Sequence, residues 1–258
     1  MFRRRADRPA PPPSLPPAMV REASPETLDA AFAGPPEEAA RWIAAAARAG
    51  MTQAQLIYGQ ILLDGRGVRQ NRASALGWFR VAAGAGNLAA LNMMGRCHEL
   101  GWGTPQDVPQ AVTLYREAAS RGEPWAQYNL ASLLARGVGV APDLAEALLW
   151  FRRAAAQGHA KAMTVMARHL EEGTEGPPDH AAARTLYARA AEAGDVRAQF
   201  NMGTLALERG CEADALRWFR QAAAGGPADF RQDIAARLAR RPEAAMQALA
   251  AELRQPAA

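Results

Sequence analysis

His98-Glu99 opens the zinc pattern H-E-x-x-H, in which two imidazoles one helical turn apart create a metal-binding face. Here the closing position is Trp102, so the pair fails. His159 sits in the short stretch Gly158-His159-Ala160, and His169 and His180 have no second ligand at a useful spacing. The carboxylate pairs Glu37-Glu38 and Glu171-Glu172 fit solvated helix ends better than a paired acid and base. There is no G-x-S-x-G elbow, and the serines are few and scattered. The G-x-G turns Gly65-Arg66-Gly67, Gly101-Trp102-Gly103 and Gly137-Val138-Gly139 could be taken for phosphate loops. A dinucleotide fingerprint needs a preceding strand, a third glycine and an acidic residue further on. These turns follow helical patterns and recur along the chain, so they read as helix stops. The sequence therefore predicts no catalytic residue, no cofactor and no metal.

What positions the remaining residues is a repeat. Ala54, Ala90, Ala126, Ala162 and Ala198 stand 36 residues apart. Five places further on come Gly59, Gly95, Ala131, Ala167 and Gly203, and later Phe79, Tyr115, Phe151 and Tyr187. Each unit closes with a glycine: Gly86, Gly122, Gly158, Gly194. The fifth unit continues through Phe219 to Gly226 after losing four residues from its middle. Counting the leading alanine as zero, places 0, 1, 4, 5 and 8 share one side of a helix and hold small or apolar residues. A small residue at place 5 is expected to let a neighbouring backbone approach closely. Asn71, Asp107, Asp143 and Asp179 stand where they can cap a second helix. That second helix is predicted to bury residues such as Ala147, Phe151 and Ala154. Neither helix could stand alone, so neighbouring units must stack.

The ends depart from the pattern. Trp42, Ala46, Ala47 and Gly50 fit the second helix of an incomplete unit, whose first helix would begin at Pro25 behind a Ser24 cap. Phe230, Ile234 and Leu238, then Met246, Leu249 and Leu253, form two terminal apolar stripes. The expected organisation is a disordered Arg/Pro-rich tail over 1–22, a degenerate N-terminal cap over 23–53, repeats over 54–226 and capping helices over 227–258. The fold class is all-α, an α/α superhelical solenoid of about five 36-residue helix-turn-helix repeats with degenerate caps at both ends.

The pattern A-x-x-x-L-G-x-x-Y-x-x-G-x-G-V-x-x-D, then A-x-x-W-Y/F-x-x-A-A-x-x-G, resembles the Sel1-like repeat family, relatives of the tetratricopeptide repeat. The stretch from Ala126 to Gly158 carries it most fully. The resemblance implies a non-catalytic scaffold for protein partners. Family members act in bacterial signalling, secretion or host interaction, or in eukaryotic protein quality control. Two departures stand out. Glu175-Gly176 and Pro177-Pro178 replace the usual turn in the fourth unit, where a distorted loop is expected, and the fifth unit has lost its G-x-G-V turn. Cys97 and Cys211 lie about three units apart. With helices packed ~8–10 Å apart that is roughly 30 Å, beyond the reach of a disulfide. The cysteine-rich secreted branch of the family is not matched.

In tetratricopeptide-like superhelices the first helices line the concave groove, so their places 2, 3, 6, 9 and 10 are expected to face a partner. Asn92, Asn129 and Asn201 could bond an extended backbone. Arg96, Arg136 and Arg168 could pair with carboxylates, and Tyr128 and Phe200 supply anchors. The same columns also fit an ordinary solvated face with salt bridges along each helix. The first unit differs, with Leu56, Ile57 and Gln60 at these places.

Net charge is +4, and residues 1–21, with five arginines against Asp7, account for all of it. The folded part balances, which argues against a nucleic-acid-binding domain. Prolines follow the N-terminal arginines where a secretory signal would place an apolar stretch, and no apolar run approaches the ~20 residues needed to span a bilayer. The expected protein is therefore cytoplasmic, without integral membrane association. A single lysine, Lys161, beside 29 arginines suggests a GC-rich bacterial genome. The alternative function is a peripheral protein that binds anionic lipid or nucleic acid through residues 1–21.

Overall fold

The computed structural model describes residues 15–255, which form fifteen helices and no strand. Two compact units divide the chain, residues 1–121 and 122–258. The N-terminal unit holds α1 (Pro17–Glu22), α2 (Pro25–Ala33), α3 (Pro36–Arg48), α4 (Thr52–Asp64), α5 (Arg72–Gly84), α6 (Leu88–Leu100) and α7 (Val108–Ser120). The C-terminal unit holds α8 (Pro124–Arg136), α9 (Leu144–Ala156), α10 (Ala160–Glu172), α11 (His180–Glu192), α12 (Val196–Glu208), α13 (Glu212–Gly225), α14 (Ala228–Leu238) and α15 (Ala244–Arg254). Residues 1–14 of the Arg/Pro-rich tail lie outside the described residues. Its last six, Pro17–Glu22, are helical and pack against α3.

Helices α4 to α13 alternate as first and second helices of five repeats, and within each unit consecutive helices pack on one another. The fold is an all-α repeat solenoid of about five repeats. The starts of α5, α7, α9 and α11 have a shared chemical cause. Asn71, Asp107, Asp143 and Asp179 accept the backbone N–H of Ser74, Gln110, Glu146 and Ala182 at 3.0, 3.0, 2.8 and 2.9 Å. Ser24 does the same for Thr27 ahead of α2, with Pro25 in the first helical turn.

A second capping column escapes the sequence. Asn87, Glu123, His159 and Asp195, again 36 residues apart, accept from the N–H groups of Ala90, Ala126, Ala162 and Ala198. Ala90, Ala126, Ala162 and Ala198 are thus the third residues of their helices, fully buried, each giving its amide to the residue three before it, whereas Ala54 is half-buried and α4 starts without a side-chain cap. Helix stops follow the glycine rule: Gly65, Gly101, Gly137 and Gly173 end first helices with φ of 75°, 68°, 64° and 67°.

The second glycine of a turn has a different reason. A Cβ on Gly103 would lie 2.3 Å from the Arg72 carbonyl oxygen at the start of α5, so the turn of one repeat rests on the second helix of the repeat before it. In the fourth repeat this place is Glu175, which instead reaches Arg152 on α9 at 2.7 Å. Gly173 and the Asp179 cap keep the flanking helices in register despite the two prolines.

The small residue at place 5 also differs from expectation. It makes room for a ring, not for a neighbouring backbone. A Cβ on Gly59, Gly95 or Gly203 would come within 2.5–2.6 Å of the ring of Phe79, Tyr115 or Phe219 on the following helix. All three rings are essentially inaccessible to solvent. Ala147, Phe151 and Ala154 are buried, as their spacing predicts. Phe219, Ile234, Leu238, Met246 and Leu249 close the core at the C-terminal end.

Ring chemistry alternates with its partner inside each repeat. The Tyr115 hydroxyl donates to Glu99 Oε2 at 2.7 Å, and that of Tyr187 to Glu171 Oε2 at 3.1 Å. Burial, reinforced by the adjacent carboxylate, pushes both phenols far above their usual range. Where the ring is Phe79, Phe151 or Phe219, the residue corresponding to the glutamate is Leu63, Ala135 or Leu207.

Candidate functional site

In the C-terminal unit place 2 of α8 and places 2 and 3 of α10 and α12 line a shared surface, and α14 adds a fourth wall. Two adjoining depressions lie there. One, of about 460 Å³, is bordered by Tyr128, Lys161, Val165, Arg197, Phe230 and Asp233. The other, of about 420 Å³, shares Thr164, Val165, Arg197, Phe230 and Asp233 with it and adds Arg168, Phe200, Asn201 and Arg237. The shared residues make the two one continuous trough.

Its aromatic residues are held from behind. Phe200 packs against Phe219 at 5.4 Å and Phe230 at 6.4 Å between ring centroids, and the Arg237 guanidinium lies 5.4 Å over its face. Tyr128 stacks on His159 at 4.8 Å and tilts against Phe151 at 5.7 Å. His159 in turn meets Trp125 edge-on at 4.4 Å. Its Nδ1 accepts the Ala162 amide, so its proton sits on Nε2, a buried atom with no partner among the described residues. Burial, with Lys161 adding to it, holds the His159 pKa down at about 4 against the opposing pull of Asp195. The ring is therefore neutral near pH 7, the only state in which Nδ1 can cap α10.

Of the residues the sequence singled out, Tyr128, Arg168, Phe200 and Asn201 meet along this trough. Asn129 and Arg136 on α8 lie outside it. Asn129 is half-buried, and Arg136 folds back so that its Nε donates to the Ser132 carbonyl oxygen at 3.0 Å. Asn92 and Arg96 belong to the N-terminal unit. Asn92 is only 6% exposed, and Arg96 lies 5.2 Å over the Trp102 ring. Glu99 and Glu171, read as partner-facing, are tied to tyrosine hydroxyls. Sequence reasoning missed Lys161, Arg197, Asp233 and Arg237. The last two stand four residues apart on α14, which reads as a mere cap until its helix is seen to border the trough.

Neither thiol borders this trough. Cys97 is buried and its pKa is pushed up to about 11, while Cys211 is exposed at the start of α13. Among the described residues no three His, Cys, Asp or Glu side chains gather as a metal site, and no helix is long and apolar enough to cross a membrane.

The Sel1 repeat pattern matches residues 52–87, 88–123, 126–159, 160–195 and 196–227, well over half of the chain. The chain belongs to the Sel1 repeat family. A Sel1 repeat protein from Oxalobacter formigenes shares 26% identity over 78% of this chain and 86% of its own, with a TM-score of 0.65. A protective antigen of uropathogenic Escherichia coli strains, with the same repeat fold, shares 26% identity with a TM-score of 0.67. That match covers 88% of this chain but only 52% of the antigen. An immunity protein from Pseudomonas aeruginosa, at 15% identity and a TM-score of 0.54 over 78% of this chain and 80% of its own, shares the fold. No curated protein sequence matches the chain. Sel1 repeats are generally protein-interaction modules and generally non-enzymatic.

Proposed function

We propose that this Sel1 repeat protein is a non-catalytic adaptor whose C-terminal unit holds an extended segment of a protein partner in the trough between α8 and α14. The observation that carries this reading is the continuity of the two depressions over four helices, with half-buried Tyr128, Val165, Phe200 and Asn201 along them. Rings held from behind lose little freedom when a partner covers them, which makes them suitable anchors. The Asn201 amide, at the surface of the same trough, can serve both donors and acceptors of an extended backbone.

The test is affinity capture from native lysate with the intact chain and with Val165→Arg and Asn201→Arg variants, which fill the trough and leave the core rings in place. A client held by the intact chain and released by both variants supports the reading. Clients retained by both variants with unchanged yield would remove the trough from the function.

A further inference from the structure

The trough has a charge preference that its apolar lining conceals, and the inference drawn from it rests on the trough being the binding surface. Three acids border it, and each is already engaged. Asp195 Oδ1 accepts both the Ala198 amide at 2.9 Å and the Thr164 hydroxyl at 2.8 Å. Asp233 pairs with Arg237 at 2.9 Å, and Asp229 Oδ1 accepts the Phe230 amide at 2.9 Å. Two exposed cations in the same depression, Lys161 and Arg197, form no hydrogen bond or ion pair with any described residue. The Tyr128 hydroxyl beside them also has no partner among the described residues.

The position of these cations is itself unfavourable. Lys161 and Arg197 are the second residues of α10 and α12, where the exposed amides and the helix dipole favour an anion and disfavour a cation. The corresponding residues of the other first helices are Gln53, Ala89 and Trp125, none of them charged. Among the first helices, only the two that border the trough from its middle carry a positive charge in a place where the helix alone would reject it; among the second helices Arg72 opens α5 in the same way. Helix stability therefore does not account for them, whereas a ligand anion does.

We infer that the trough recognises an acidic-apolar protein segment, with an Asp or Glu carboxylate taken by Lys161 and Arg197 and a neighbouring bulky apolar side chain seated against Val165, Phe200 and Phe230. Arg197 borders both depressions, so a carboxylate at the first and a side chain in the second fall on neighbouring residues of one extended strand. The guanidinium can bind the carboxylate with two parallel bonds, and the ammonium adds a point charge.

The experiment is selection of displayed random linear peptides on the full chain, followed by titration of the enriched peptides, made synthetically, against the full chain and its variants. The expected peptides carry Asp or Glu within two residues of Phe, Trp, Leu or Met. Their affinity should fall at least about tenfold on Lys161→Glu with Arg197→Glu, which is about 1.4 kcal/mol. It should also fall as salt rises. The same charge reversal should leave the melting temperature unchanged or raised, because glutamate suits the first turn of a helix, so loss of binding cannot be laid to unfolding.

Any of five outcomes overturns the inference. Enriched peptides without an acidic bias, or acidic peptides that bind the charge-reversed chain equally well while Val165→Arg and Asn201→Arg release them, refute the charge preference and leave the trough standing. Peptides untouched by Val165→Arg and Asn201→Arg, or no enrichment at all, refute both. A preference for phosphorylated over carboxylate peptides would replace the carboxylate with a different ligand class.

Discussion

In the N-terminal unit Asn92 and Met93, at the second and third places after a leading alanine, are 6% and 8% exposed. In the C-terminal unit the same places hold Tyr128, Asn129, Thr164, Val165, Phe200 and Asn201, all half-buried. The helical frame is shared, so the difference lies in what the side chains lean on. In the first case Met93, with Leu56 and Trp102 packed alongside, belongs to one hydrophobic cluster, and Arg96 lies over Trp102. Around α6 the face closes on itself, while Ile57, at the third place after Ala54 on α4, stays 39% exposed. In the second the large rings lean backward, Phe200 onto Phe219 and Tyr128 onto His159 and Phe151, and the space before them stays open. A repeat protein can thus open or close a face without changing its backbone, by choosing whether an aromatic residue packs across the surface or into its own core.

The largest effect should come from removing a ring behind the open face. Phe219→Ala leaves a cavity under Phe200 where the wild-type ring is 1% exposed, and we expect a loss of about 3–5 kcal/mol in urea unfolding. The same loss is expected for Phe151→Ala, behind Tyr128. A loss below about 1 kcal/mol would show that the rings do not carry the packing assigned to them.

Next is the pH dependence set by His159. Its folded pKa of about 4 lies below the ordinary 6.5, so the unfolded chain binds a proton that the folded chain refuses. This contribution to stability is complete above pH 6.5 and is lost as pH falls toward about 4. Between neutral pH and about pH 4.5 it removes about 2–3 kcal/mol. His159→Asn supplies a cap that does not titrate. The variant should lose less stability over that interval by about the same amount, and equal losses would mean that His159 is not held neutral by its surroundings.

A smaller effect separates the two asparagines. Asn92→Ala in the closed face should cost about 1–2 kcal/mol, because it removes a buried polar group from its surroundings. Asn201→Ala in the open face should stay within about 0.5 kcal/mol. Equal costs would erase the distinction between the faces. Of similar small size, Tyr187→Phe should lose about 0.5–1 kcal/mol by stranding Glu171, and adding Glu171→Leu should recover most of it by recreating the Phe79–Leu63 combination. A double-mutant cycle with no coupling would show the pair to be incidental.

The repeat length, the alanine columns and one capping column can be read directly in the sequence, because each rests on one residue type, or on Asn and Asp alone, recurring at fixed spacing. The other capping column could not be found that way. Asparagine, glutamate, histidine and aspartate share only an acceptor atom in the right place, and a search for repeated letters passes over them. Arg96 and Arg136 lie away from the trough for a related reason: a long side chain on a helix face can turn back to a nearby ring or carbonyl, and spacing does not record its direction. The trough was half legible. Tyr128, Arg168, Phe200 and Asn201 came from the expected columns. Lys161 and Arg197 precede the leading alanines by one residue, and the face of α14 became visible only when its apolar stripe was placed against α13 and its polar stripe was left over.

The tyrosine–glutamate pairs lie entirely within single repeats, Glu99 with Tyr115 and Glu171 with Tyr187, and so do the phenylalanine rings with their apolar counterparts. Each repeat therefore carries its own lock and key when it is duplicated or lost. Cutting residues 160–195 out of the gene would remove one complete tyrosine–glutamate pair and strand neither member. Growth and shrinkage by whole repeats is thus a short evolutionary step for such a chain. A recombination boundary falling between places 9 and 25 of two unlike repeats, such as the first and second, would instead join a glutamate to a phenylalanine or a tyrosine to a leucine, and such a splice would begin with a polar group short of its partner.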